Sequence, residues 1–160
     1  MSYKISPNPS AMYSDSTATE NVVSITAGQV LTFDTTEYAK GITLVSNSRI
    51  TLPSTGDYAI ALSAVGTKTA GGSANLDFWL RLNGTTNVDR SNTRGTVTNG
   101  TYQIIAVVVN LIVATAGDYY EWMMCGDATT AALVTVAASA SNPTRPAAPN
   151  SIVSVWKISK

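Results

Sequence analysis

Histidine is absent from the 160 residues, and cysteine occurs once, at Cys125. Without an imidazole, neither Ser-His-Asp nor Cys-His catalysis can be assembled, and metal centres of the His/Cys type go with it. One cysteine makes no intrachain disulfide, so redox logic says nothing of compartment. Charge is scarce as well: 12% of the residues are Asp, Glu, Lys or Arg, about half the usual share. Ten basic residues offset ten acidic ones, and Lys68, Arg81, Arg90, Arg94 and Arg145 are dispersed along the chain. Nucleic-acid binding needs clustered cations that release counterions, and a membrane surface needs a steering field; neither is an expected partner. Long apolar runs are also missing. The longest, residues 104–109, is far short of a bilayer span, and residues 1–10 (MSYKISPNPS) have no apolar core of a secretory signal. Synthesis and folding in a cytosol is the expectation.

What is present is a β-rich pattern. Hydrophobic residues make up 44% of the chain, enough for one domain with a real core. In residues 55–85, Tyr58, Ile60, Leu62 and Ala64 share one face of a strand, and a loop of small residues spans 66–73. Leu76, Phe78, Leu80 and Leu82 then alternate with Asp77, Trp79, Arg81 and Asn83. This period of two marks strands with one buried face, and the pair is expected to be hairpin-like. Asn83-Gly84 supplies the positive-φ residues of a tight turn. Shorter strands are expected over 22–25, 30–33, 41–45, 49–52, 88–91, 119–125, 131–139 and 151–158, with loops at 36–40 and 93–100 and a stiff Pro-rich connection over 142–150. About ten strands and no amphipathic helix predict an all-β sandwich or jelly roll. Residues 1–21, rich in Ser, Thr and Pro, read as an extended arm, either a frayed terminus or a segment docking on a neighbour; residues 22–160 form the domain.

Residues 101–114 (TYQIIAVVVNLIVA) break the alternation. Both parities are apolar, and the Val/Ile density favours strand over helix. A strand apolar on both sides is buried on both sides. One face meets the core; the other is covered by a second subunit, or by the chain's own loops or arm, unless the segment is a buried helix.

Catalytic groups are thin. Asp77, Asp89, Asp118, Glu121 and Asp127 could in principle pair as glycosidase carboxylates, but their spacing fixes no two of them at the required separation. Asp57, Asp118 and Asp127 adjoin glycines, as turn formers do. No Ca²⁺-loop or phosphate-cradling motif appears. No metal, cofactor or enzymatic activity is expected. Cys125 reads as a small buried hydrophobe. Trp79, Trp122 and Trp156 supply either a sugar-stacking platform or core and interface area.

Two segments carry a family resemblance: Gly56-Asp57-Tyr58 opening a long strand, and Val113-Ala114-Thr115-Ala116-Gly117-Asp118-Tyr119, a strand running through a Gly-Asp turn into the next. With the last strand, they resemble the C1q/TNF-like jelly roll. More narrowly, Phe78-Trp79-Leu80-Arg81-Leu82-Asn83-Gly84, then Ser91-Asn92-Thr93, and the proline segment 143–149 running into Ser151-Ile152-Val153, resemble C1q-like structural proteins of tailed bacteriophages and large viruses. The resemblance spans roughly residues 32–160. The chain departs from animal C1q heads in its final strand, SIVSVWKIS, and residues 1–31 carry no collagen-like repeat.

The resemblance implies a homotrimer in which the strand before the Gly-Asp turn faces the three-fold axis. With the parity of Ala114 taken as core, Ile105, Val107, Val109, Leu111 and Val113 become the expected subunit interface. The expected function is that of a non-enzymatic viral structural protein, located on the virion. It is a trimeric module decorating or cementing the capsid, with Ile5, Met12 and Tyr13 of the arm contacting the major capsid protein or another virion protein. The alternative is a fibre-head module that recognises host-surface glycans.

Overall fold

The computed structural model describes residues 8–15, 17–141 and 143–159, and those residues contain fourteen strands and no helix. In chain order they are β1 (Ser10–Asp15), β2 (Glu20–Asn21), β3 (Gln29–Val30), β4 (Thr35–Lys40), β5 (Thr43–Val45), β6 (Arg49–Thr51) and β7 (Gly56–Lys68). There follow β8 (Ser73–Leu82), β9 (Thr86–Asn87), β10 (Thr93–Thr98), β11 (Gln103–Ala114), β12 (Tyr119–Gly126), β13 (Ala131–Leu133) and β14 (Ser151–Lys157). They form two antiparallel seven-stranded sheets. The first runs β4, β1, β14, β7, β11, with β13 and β2 continuing beside the far end of β7. The second runs β10, β8, β12, β6, β5, with β9 on β8 and β3 on β12.

Alternation builds the core between them. Tyr58, Ile60, Leu62 and Ala64 of β7 and Val153 and Val155 of β14 face inward, each at most 2% exposed. From the second sheet, Leu76, Phe78 and Leu80 meet Trp122 and Met124, all at 0%. Each large aliphatic side chain removed from water contributes about 1.5–3 kcal/mol, so the two inner faces carry most of the fold's stability.

The long strands at 56–82 are not a hairpin. The loop after Lys68 crosses from one sheet to the other, so β7 pairs with β11 and β14, while β8 pairs with β10 and β12. Both are interior strands whose alternation fits a sandwich as well as it fits a hairpin. The Asn83-Gly84 turn has φ of 49° and 72° and links β8 to β9. Ser46 and Asn47, at 53° and 57°, make a similar turn between β5 and β6.

Two polar segments expected as loops, 36–40 and 93–100, contain edge strands β4 and β10. Edge strands expose most of their side chains, so they carry little apolar signal. Within the Pro-rich connection, residues 143–150 fold back on the residues before them: Ala148 pairs with Val136, and Arg145 with Ser139.

The arm is corrected in the same way. Ser10–Asp15 lies between β14 and β4, inside the sheet, rather than extending from it. Tyr13 is 1% exposed and donates its hydroxyl to the Ile42 carbonyl at 3.0 Å. A buried, bonded tyrosine is not a contact for another protein. Met12, of the opposite parity, is half-buried on the outer face, and Ile5 lies outside the described residues.

Candidate functional site

Among the described residues, nothing covers the outer face of the first sheet, and that face is apolar. Ile104, Val108 and Ile112 of β11 are 75%, 60% and 74% exposed, and Trp156 of β14 and Tyr38 of β4 are 40% and 49% exposed. Between these taller side chains lie Ala61 and Ser63 of β7, Ala106 of β11 and Ser154 of β14, which floor a shallow groove of about 330 Å³. With half-buried Met12 of β1 between Ser154 and Tyr38, five strands present one continuous surface, with a low centre where another backbone can approach closely. Contiguous exposed apolar surface of this kind marks an association site.

The expected interface parity is inverted. Ile105, Val109 and Leu111 are 7%, 7% and 5% exposed and belong to the chain's own core, with Val107 partly buried against it. Ala114 does face the core, at 4%. The parity count from it fails because β11 carries a bulge: Leu111 pairs with Tyr58 but Ala114 with Gly56, so one extra residue intervenes. Val113 sits there at φ 55° with its N–H on Asp57 Oδ1 at 2.8 Å. Ile112 and Val113 therefore both point outward, and Val113, 69% exposed, is the one member of the expected set that does so fully. A second device fixes the parity. A Cβ on Gly95 would lie 2.5 Å from Ile105 Cγ1, so the glycine leaves the space that Ile105 fills.

The outer face of the second sheet is polar. Glu121, 4% exposed, accepts from Arg81 Nη2 at 2.8 Å, with Arg49 Nε and the Ser48 hydroxyl each at 3.5 Å. Asp77 takes Arg94 in a two-toothed grip, Nε and Nη2 at 3.0 and 2.9 Å. The same bonds to Asp77 raise Arg94 above the usual guanidinium range. Trp79 lies on this face, above Gly28 and Met123. A groove of about 400 Å³ runs beside it to the 87–94 segment.

The five candidate carboxylates are scattered by the fold. Asp77 and Glu121 are tied to arginines, Asp118 accepts from Asn83 Nδ2, and Asp127 accepts from the Asn75 amide and side chain. Those Asn75 bonds, the backbone N–H first, hold Asp127 below the usual carboxylate range. Asp89 stays exposed beside the Trp79 groove. Among the described residues, no three His, Cys, Asp or Glu side chains gather where they could hold a metal ion. Cys125 is half-buried and lines the Trp79 groove rather than the core; burial is the first of the causes that raise its thiol pKa. Of the three tryptophans, Trp122 is core, while Trp79 and Trp156 lie on opposite outer faces.

No family model matches the chain, and no curated protein matches it in sequence. The fold does match a solved structure, the globular domain of zebrafish complement 1qA protein. The TM-score is 0.62 at 11% identity, over 96% of this chain and 99% of that one. The architecture is therefore a C1q-like jelly roll, an all-β sandwich of two antiparallel sheets.

Proposed function

We propose that this protein is a non-enzymatic structural module that works as a homotrimer on the surface of a virion. The observation that carries the trimer is the uncovered apolar face of β11, β7 and β14, which burial in a neighbouring copy would remove from water. Ile104, Val108 and Ile112 stand on β11, the edge strand of that sheet. The edge of one copy can thus lean on the small-residue floor of the next. Such a contact is heterologous, and it closes when the rotation divides the circle, here into three. The C1q-like architecture supports three over other ring sizes.

The virion assignment rests on the sequence resemblance in 78–84, 91–93 and 143–149. A three-fold module matches three-fold and quasi-three-fold positions of a capsid, where each subunit meets the shell equivalently. Met12, on the outer face beside Tyr38, belongs to the assembly surface in this reading. Immunogold labelling of purified particles tests the location. Label distributed over the capsid supports it; label on the tail alone, or none on the particle, overturns it.

A further inference from the structure

The groove beside Trp79 has no part in the assembly just described, and its chemistry points to a ligand of its own. We propose that it binds a neutral carbohydrate, with the Trp79 indole as stacking platform and Asp77, Asp89, Arg90, Asn92 and Arg94 as hydrogen-bonding rim.

The platform is held rigid before any ligand arrives. Trp79 Nε1–H donates to Asn87 Oδ1 at 2.9 Å. The far edge of the ring lies on the backbone at Gly28, where a Cβ would come within 2.6 Å of Cη2. Met123, 3% exposed, packs against the same place. An aromatic ring fixed in this way costs little conformational entropy on binding. The rim is ordered too. Asp77, 8% exposed, holds Arg94 through two nitrogens and Asn92 Nδ2 at 3.2 Å.

Capacity remains for a guest. Among the described residues, Asp89 and Arg90 have no hydrogen-bond partner, and the Arg94 Nη1 is likewise unengaged. Arg90 sits at φ 61°, a left-handed conformation that non-glycine residues adopt mainly where surroundings or function demand it.

Charge selects the class of ligand. Two carboxylates, Asp77 and Asp89, balance two guanidinium groups, Arg90 and Arg94. Such a rim has no net field for an anion or a cation. It offers acceptors beside donors, which is what a hydroxyl needs, since each hydroxyl both gives and takes a hydrogen bond. A sugar ring adds an apolar C–H face for the indole. The volume, about 400 Å³, is near the lower end for small-molecule sites, so the groove takes a terminal sugar rather than a long chain. Single-site affinity is accordingly weak, and several copies on one particle would raise it through avidity.

The test is ¹H–¹⁵N NMR of the indole resonances, titrated with methyl glycosides of glucose, galactose, mannose and N-acetylglucosamine. N-acetylneuraminic acid is the anionic control. The Trp79 resonance, assigned with Trp79→Phe, should shift saturably with at least one neutral glycoside, while those of Trp122 and Trp156 stay in place. Arg94→Gln and Asp89→Asn change exposed side chains, keep the fold, and should each weaken binding roughly tenfold. The proposal is overturned if no neutral glycoside moves Trp79, if only the anionic sugar does, or if both rim variants bind like the parent. Sedimentation of the same samples keeps this result separate from the question of assembly.

Discussion

Raising the pH from 5 to 8 should weaken the fold through one side chain, Glu20. Its Oε2 is buried without a hydrogen-bond partner. Asp15 lies beside it, 3% exposed, accepting from the Thr17 and Ala18 amides and from Asn150 Nδ2. Burial first, then the Asp15 charge, pushes the Glu20 carboxyl from 4.5 up to about 7, against a backbone hydrogen bond from Thr32. Between those two values the folded protein keeps a proton that the unfolded chain has released. The resulting stability is fully present below about pH 4.5 and is lost as the pH rises through 7. At about 1.4 kcal/mol per pH unit the interval corresponds to about 3 kcal/mol. Glu20 keeps partial contact with water, which reduces the expected loss to about 1–2 kcal/mol. Urea unfolding of the parent and of Glu20→Gln at pH 5, 6, 7 and 8 measures it. Glutamine imitates the protonated carboxyl and does not titrate. The parent should lose that much more than the variant across the series. Parallel pH profiles would mean that Glu20 does not keep its proton in the folded protein.

Glu121→Ala removes the shared partner of Arg81 and Arg49, whose side chains are 25% and 47% exposed. Both cations reach water, so the cost should be about 1–3 kcal/mol, read as a lower urea midpoint; an unchanged midpoint contradicts the account. Gly84→Ala places a Cβ at φ 72° and 2.7 Å from the Tyr119 hydroxyl, and should destabilise by about 1 kcal/mol or more in the same assay. Ile105→Ala opens a hole over Gly95 and should cost about 2–4 kcal/mol. Ile104→Ala, one residue away on the outer face, should leave the melting of a dissociated subunit within about 0.5 kcal/mol of the parent. Equal effects of the two would mean that the parity of β11 is misread.

Interior strands were legible in the sequence because their alternation is a direct record of two environments. Tyr58 to Ala64 and Leu76 to Leu82 show it plainly. Edge strands β4 and β10 were not legible: with most side chains in water, TTEYAK and TRGTVT look like loops. The sheet to which each strand belongs was hidden too, since a short loop of small residues can close a hairpin or cross a sandwich.

The double apolarity of 103–114 gave the existence of an outer apolar face but not its members. That depended on a bulge, which adds a residue without changing composition. Gly95 was the available signal, because a glycine in a strand marks close approach by a neighbour, here Ile105. The Trp79 groove was only half visible. Trp79 and Asp77 stood out on the outer parity of their strand, whereas Asn87 reaches the groove from the two-residue β9 and Arg90 and Asn92 from the turn after it, geometry that no periodicity encodes.

The central claim is that the outer face of β11, β7 and β14 joins copies of this chain. Sedimentation equilibrium of the parent beside Val108→Asp tests it most directly, since Val108 is 60% exposed in the single chain and its replacement leaves the core intact. The parent should sediment at about 50 kDa, three times the 16.7 kDa chain, and the variant, still folded, at 16.7 kDa. A parent that sediments as a single chain, or a variant that keeps the mass of three, would contradict the claim.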